Sequence, residues 1–155
     1  MGMDIYLLKK TYIGACFSGH RSIIDGDINI RKNGVIIPIE LNHVLEITEC
    51  IGHWRKFYSL HQWMVDNTSI DGKKCHEYPI SDDIMAKLKS DCEAIISCKK
   101  NWIENAKKIF PHLQFEYATS DQLRIFLSEI HYTYQVLAAQ PAATADVKYF
   151  YNMSW

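Results

Sequence analysis

The hydrophobic pattern of this chain changes period part-way along, and that change limits what it can fold into. Up to about residue 47 the apolar residues come in short, β-branched runs; beyond it they recur at three- and four-residue steps. Residues 3–8 read as an opening strand. Residues 27–31 and 35–39 are β-branched runs separated by Lys32-Asn33-Gly34, and Asn-Gly between such runs is a strong hairpin signal. Residues 14–27 carry loop signals, and 43–47 continue the strand character. Trp54, Phe57, Tyr58, His61, Met64 and Val65 then fit one face of a helix starting near Gly52 and ending at Asp66-Asn67 and Asp71-Gly72. Residues 75–80 form a short strand with Pro79 near its end, which suits a sheet edge.

Ser81 is a plausible N-cap of a second helix, with Asp82 and Asp83 where the helix dipole favours negative charge. Its apolar stripe is Ile84, Leu88, Cys92, Ile95 and Ile96. Trp102, Ile103, Ala106, Ile109 and Phe110 either extend that helix or form a separate short one before Pro111. A third clear helix is capped by Thr119 or Ser120 and buries Leu123, Phe126, Leu127, Ile130, Tyr134, Leu137 and Ala138. Residues 141–146 form a loop and 147–151 a last strand. The expectation is one α+β domain over residues 1–155, a mostly antiparallel sheet with about three helices packed on it.

Composition narrows the function classes. Seventeen Lys and Arg against eighteen Asp and Glu leave a formal charge of −1, which excludes the strongly basic face of a general DNA or RNA binder. No apolar run is long enough to span a membrane, and no secretory signal opens the chain. The five cysteines (Cys16, Cys50, Cys75, Cys92, Cys98) show no repeating spacing and are expected to be reduced and mostly buried. With no C-x-x-C, H-E-x-x-H, P-loop or dinucleotide-binding glycine pattern, neither a metal site nor a cofactor is expected. Asp25-Gly26-Asp27 resembles the start of a calcium loop, but the twelfth position would be Ile36. Cys75 and His76 are neighbours on an expected strand and so face opposite sides; the reading is a core thiol and an exposed imidazole. Ser18, His20, Arg21 and Asp25 could form a catalytic loop, with a plain surface loop as the alternative.

The richest constellation lies at 53–63: His53, Trp54, Arg55, Lys56, Tyr58, His61 and Trp63. Arg55 offers a planar fork and Lys56 a point charge for phosphate or carboxylate, and aromatic faces are platforms for a base. On one helix, His53 and His61 would be about 12 Å apart along the axis, too far to share a metal ion. Asp4 and Tyr6 share a face of the first strand and join the candidate site, as does Tyr151 from the terminal cluster Tyr149, Tyr151 and Trp155. The alternative for Trp54, Phe57, His61 and Met64 is a place in the core, for Arg55 and Lys56 solvation, and for the terminal aromatics docking in the core or an oligomer interface.

Three segments carry a resemblance. Met1-Gly2-Met3-Asp4-Ile5-Tyr6-Leu7 is similar to a Met-Gly-Leu-Asp-x-Tyr-Leu start. Ile51-Gly52-His53-Trp54-Arg55-Lys56 with His61-Gln62-Trp63-Met64-Val65 is similar to a Val-Gly-Tyr-Trp-Arg-Lys…His-x-Trp-Phe-Val block. The end, Tyr149 to Trp155, is similar to a Tyr-x-x-Ser-Trp terminus. Together they resemble a family of small proteins encoded by tailed phages and prophages. Two positions depart from it: His53 stands where the family has Tyr, and Leu113-Gln114-Phe115-Glu116-Tyr117 stands where it has Gly-Phe-Phe-Phe-Gly. The resemblance implies a phage or prophage origin and action in the cytoplasm of the bacterial host; it supplies no activity.

The leading functional expectation is a non-catalytic protein that sequesters a host nucleotide immune signal, a cyclic dinucleotide or ADP-ribose derivative, as a counter-defence sponge. Such a protein is expected as a homo-oligomer, because two chains can close one pocket. A protein-interaction module that inhibits a host enzyme is the second reading; exposed Trp102, Tyr132 or Trp155 without a concave pocket would point to it. A nucleotide phosphodiesterase using His53, His61 or His20 is the third.

Overall fold

The computed structural model describes residues 2–13, 30–39, 44–72 and 75–155. Strand β1 (Asp4–Tyr12) is followed by the hairpin strands β2 (Ile30–Lys32) and β3 (Val35–Ile37) and by β4 (Glu46–Arg55). Helix α1 (Tyr58–Asn67), strand β5 (Tyr78–Ile80), and helices α2 (Asp82–Ser97), α3 (Trp102–Ile109) and α4 (Ser120–Ala138) follow, and β6 (Val147–Ser154) completes the order. The main sheet runs β4-β1-β6-β5 with every pair antiparallel, and β2-β3 form a sheet of their own. The α+β class with a mostly antiparallel sheet is thus observed, with four α-helices: the 102–110 stretch is a separate helix, not an extension of α2.

Several local signals act as read. Asn33 (φ 53°) and Gly34 (φ 80°) make the left-handed turn between β2 and β3. Pro79 sits on β5, an edge strand, where its missing N–H breaks no ladder. The Ser81 hydroxyl accepts from the Ile84 N–H. Thr119 and Gln122 form a reciprocal capping box at the start of α4. Residues 14–29 and 40–43 lie outside the described residues. So do the expected 14–27 loop with Ser18, His20, Arg21 and Asp25, the start of the first hairpin run, Cys16 and His43.

The largest difference is at 46–57. The stretch expected to open the first helix is strand up to Arg55, and the helix begins only at Tyr58. Gly52 therefore lies in a strand, opposite Leu7, while Leu8 pairs with Cys50, which leaves Ile51 as an extra, bulged residue. The Trp54 indole covers Gly52, where an added Cβ would sit 2.8 Å from Cζ3 of that ring.

One face of the sheet carries Met3, Ile5, Leu7, Trp54, Tyr149, Tyr151 and Met153, all buried. Leu7, Trp54 and Tyr151 meet Leu60 and Met64 of α1, Leu88 of α2 and Leu137 of α4 around an interior void of about 20 Å³. On α2 the buried stripe is Met85, Leu88, Cys92 and Ile95, with Ile84 and Ile96 half-buried at its margins. On α4 it is Phe126, Ile130, Thr133, Val136 and Leu137; Ala138, expected inside, is exposed. The cysteines are less uniform than expected. Cys92 is buried, which pushes its thiol up to about 12, but Cys50 and Cys75 are exposed. Among the described residues, no helix is long and apolar enough to cross a membrane.

Candidate functional site

The elbow between β4 and α1 positions the two cations of the 53–63 block. Lys56 ends the strand by taking a left-handed backbone conformation, φ 59°. Its N–H donates to the Met3 carbonyl at 2.7 Å, fixing the elbow to β1. Its aliphatic stem crosses Gly2, where a Cβ would lie 2.7 Å from Lys56 Cε.

Arg55 and Lys56 flank a cleft of about 460 Å³, a volume within the range of small-molecule sites. The cleft lies between the elbow, residues 113–118 and the first half of α4. Its floor is aromatic: Phe57, Phe115 and Phe126 line it and are buried. Phe126 is the hub, with ring centroids of Phe115 at 5.3 Å, Phe110 at 5.5 Å, Phe57 at 5.9 Å and Trp102 at 6.2 Å. Edge-to-face contacts dominate this cluster, the favoured geometry for aromatic quadrupoles. The exposed Arg55 and Lys56 stand at the mouth, with Gln122 and Glu129 of α4 on the cleft wall. Among the described residues, no side-chain hydrogen bond or ion pair engages Arg55, Lys56 or the Glu129 carboxyl. Partial burial raises the pKa of Glu129 above the ordinary carboxyl range. The cleft lining contains neither histidine nor cysteine.

None of the other residues expected at the site lines this cleft, although Asp4 stands directly opposite Arg55 in the β1–β4 register and Tyr58 and Trp63 line a neighbouring cleft. Trp54 is a core residue, its indole N–H donating to the Thr133 hydroxyl at 3.0 Å. Trp63 is also buried; its N–H donates to Asp91 at 2.9 Å and its ring lies 5.1 Å from the Lys87 ammonium. His61 is buried between Tyr151, at 2.7 Å from Nδ1, and the Gly72 carbonyl, at 3.3 Å from Nε2. Both contacts suit one neutral tautomer, in which Nε2–H donates to the carbonyl and the Tyr151 hydroxyl donates to Nδ1. Desolvation lowers the His61 pKa, and burial pushes the Tyr151 phenol up. Tyr149 is docked likewise, its hydroxyl donating to the Pro141 carbonyl at 2.7 Å.

Asp4, Tyr6 and His53 come together, but on the opposite face of the sheet from the helices. His53 stacks on Tyr6 with centroids 4.8 Å apart, and its Nε2 is 3.1 Å from Asp4. Asp4 is therefore the partner of His53, not of Arg55 or Lys56. Tyr58 is exposed beside Trp155 and borders a second, smaller cleft. Trp102 is half-buried in the Phe126 cluster, while Tyr132 and Trp155 are exposed. His76 is exposed as expected, but so is Cys75. Among the described residues no three His, Cys, Asp or Glu side chains cluster as a metal ion would require.

Sequence reasoning therefore identified the mouth of the cleft and missed its floor and far wall: Leu113, Phe115, Phe126 and Glu129. One signal pointed there. The 113–117 stretch, where the chain departs from the phage-family pattern, is the cleft wall.

No protein-family model, no curated protein and no solved structure matches the chain. The fold and the cleft themselves define an α+β protein with an open, aromatic-floored cavity flanked by two cations that have no partner among the described residues.

Proposed function

We propose that this protein is a non-catalytic binder of a nucleotide-like small molecule, with an anionic group held by Arg55 and Lys56 and a ring system seated against Phe57, Phe115 and Phe126. The observation that carries this reading is the placement of two cations, unpaired among the described residues, at the mouth of a cleft with an aromatic floor. A guanidinium and an ammonium can both donate to phosphate oxygens, and stacked bases gain about 1–3 kcal/mol on aromatic surfaces. Nothing in the lining resembles a nucleophile–base pair. Of the imidazoles considered for a phosphodiesterase, His53 pairs with Asp4 and His61 with Tyr151, while His20 lies outside the described residues; the binding reading rests on the cations and the aromatic floor. In the phage setting that the sequence resemblance implies, the ligand is a host immune nucleotide, a cyclic dinucleotide or an ADP-ribose derivative. The protein would sequester it in the bacterial cytoplasm. A homo-oligomer, in which a second copy closes the open side of the cleft, belongs to the same proposal.

The test is retention. Protein incubated with these nucleotides, washed and then heated should release them unaltered, and its native mass spectrum should show both the bound ligand and the subunit number. Arg55→Ala should weaken binding about tenfold or more, the usual effect of losing a charge-assisted hydrogen bond. Release of a chemically altered product would overturn the reading in favour of an enzyme; no retention of any of these nucleotides would overturn it outright.

A further inference from the structure

A second cleft, of about 210 Å³, adjoins the first: Ser59 and Leu113 line both. The two cavities thus meet at Ser59 and Leu113, and a ligand passing over these two residues would reach both. Their chemistries differ. The first has Arg55 and Lys56, cations without a side-chain partner among the described residues. The second has the Tyr58 ring and a polar end built from Gln62, Asp66 and His112. There the Asp66 carboxylate is already engaged by both neighbours: the Gln62 amide donates to it at 2.8 Å, and His112 Nε2 lies 3.1 Å away. With its amide nitrogen turned to Asp66, Gln62 keeps its carbonyl oxygen as an acceptor, and in the tautomer whose Nε2–H donates to Asp66 so does the other ring nitrogen of His112. This end presents acceptors beside a carboxylate, which disfavours phosphate and suits an amine or hydroxyl donor.

We infer that the two clefts together take a ligand with two ring-bearing halves joined through phosphate, a dinucleotide. One half would lie over the aromatic floor with its phosphate toward Arg55 and Lys56; the other would pass over Ser59 and Leu113 and offer its amino or hydroxyl donors to Gln62 and His112. The inference rests on the binding function proposed above and adds the length and polarity of the ligand. A mononucleotide would fill only the first cleft and leave the second to water.

Calorimetric titration of the full chain with AMP and GMP, and with the linear dinucleotides pApA and pGpG, separates the possibilities. The dinucleotide with the preferred base should bind roughly tenfold to a hundredfold more tightly than its mononucleotide, the gain from stacking and pairing one further base. The double variant Gln62→Ala/His112→Ala, at a half-buried and an exposed position, should abolish that gain and leave mononucleotide affinity unchanged. Equal affinity for mono- and dinucleotide would overturn the inference while leaving the binding function standing. So would a double variant that binds the dinucleotide as tightly as the wild-type protein or that weakens both ligands equally. Failure of all four to bind at millimolar concentration would overturn the inference, while the retention test with cyclic dinucleotides and ADP-ribose derivatives decides the binding function separately.

Discussion

Lys56 combines two demands that rarely meet in one residue. Its backbone is left-handed, φ 59°, which costs a non-glycine residue on the order of 1 kcal/mol. Its side chain nevertheless supplies one of the two cations of the cleft. The strain is local to the elbow and is offset by the N–H bond to Met3 and by the stem lying over Gly2. Two substitutions separate these contributions. Both Lys56→Gly and Lys56→Ala delete the ammonium, but only glycine relaxes the backbone. Lys56→Gly should therefore be as stable as Lys56→Ala or more so, by up to about 1 kcal/mol in urea unfolding. Both variants should lose nucleotide affinity. An alanine variant more stable than the glycine variant would show that the elbow is not strained.

Among the elements, α4 was the most legible. Its cap, narrowed to Thr119 or Ser120, and the centre of its stripe were present in the sequence because capping residues and an apolar period of three to four residues are local properties; the burial of Thr133 and Val136 and the exposure of Ala138 were not. Thr119→Ala removes one half of that box and should cost about 1 kcal/mol, seen as a lower urea midpoint with an unchanged slope. Strand β4 was the least legible. Trp54, Phe57, Tyr58 and His61 happen to fit helical spacing. The bulge at Ile51 interrupts the strict alternation that would have marked a strand, and only the left-handed Lys56 and the N-cap Phe57 separate strand from helix. That conformation is imposed by tertiary contacts, and the residue type gives no sign of it. The floor of the cleft was illegible for a related reason. Phe57, Phe115 and Phe126 are far apart in sequence and each reads as an ordinary core aromatic; only the packing of α1, the 113–118 segment and α4 brings them to one cavity.

At the scale of the molecule, His61 ties the first helix to the last strand through Tyr151 and reaches the Gly72 carbonyl at the same time. Burial holds this imidazole neutral by lowering its pKa below the ordinary value of 6.5. The unfolded chain takes up the proton first as pH falls, so the His61 contribution to stability is complete above pH 6.5. It declines as pH drops from there toward the folded-state value. Urea unfolding at about pH 7.5 and about pH 5 should show the wild type losing stability across this window, with a smaller loss in His61→Gln. An equal loss in both proteins would place the pH dependence elsewhere. The order of strands in the sheet has a further consequence. β6 lies between β1 and β5, so β5 has no partner in the main sheet and β1 only one until residues 147–154 have been made. A nascent chain can form its helices and the β1–β4 pair on the ribosome, but its sheet stays open down the middle. Assembly must then be late and all at once, and a polypeptide stalled before Val147 would present the bare inner edge of β1 to whatever chaperone or neighbouring strand reached it first.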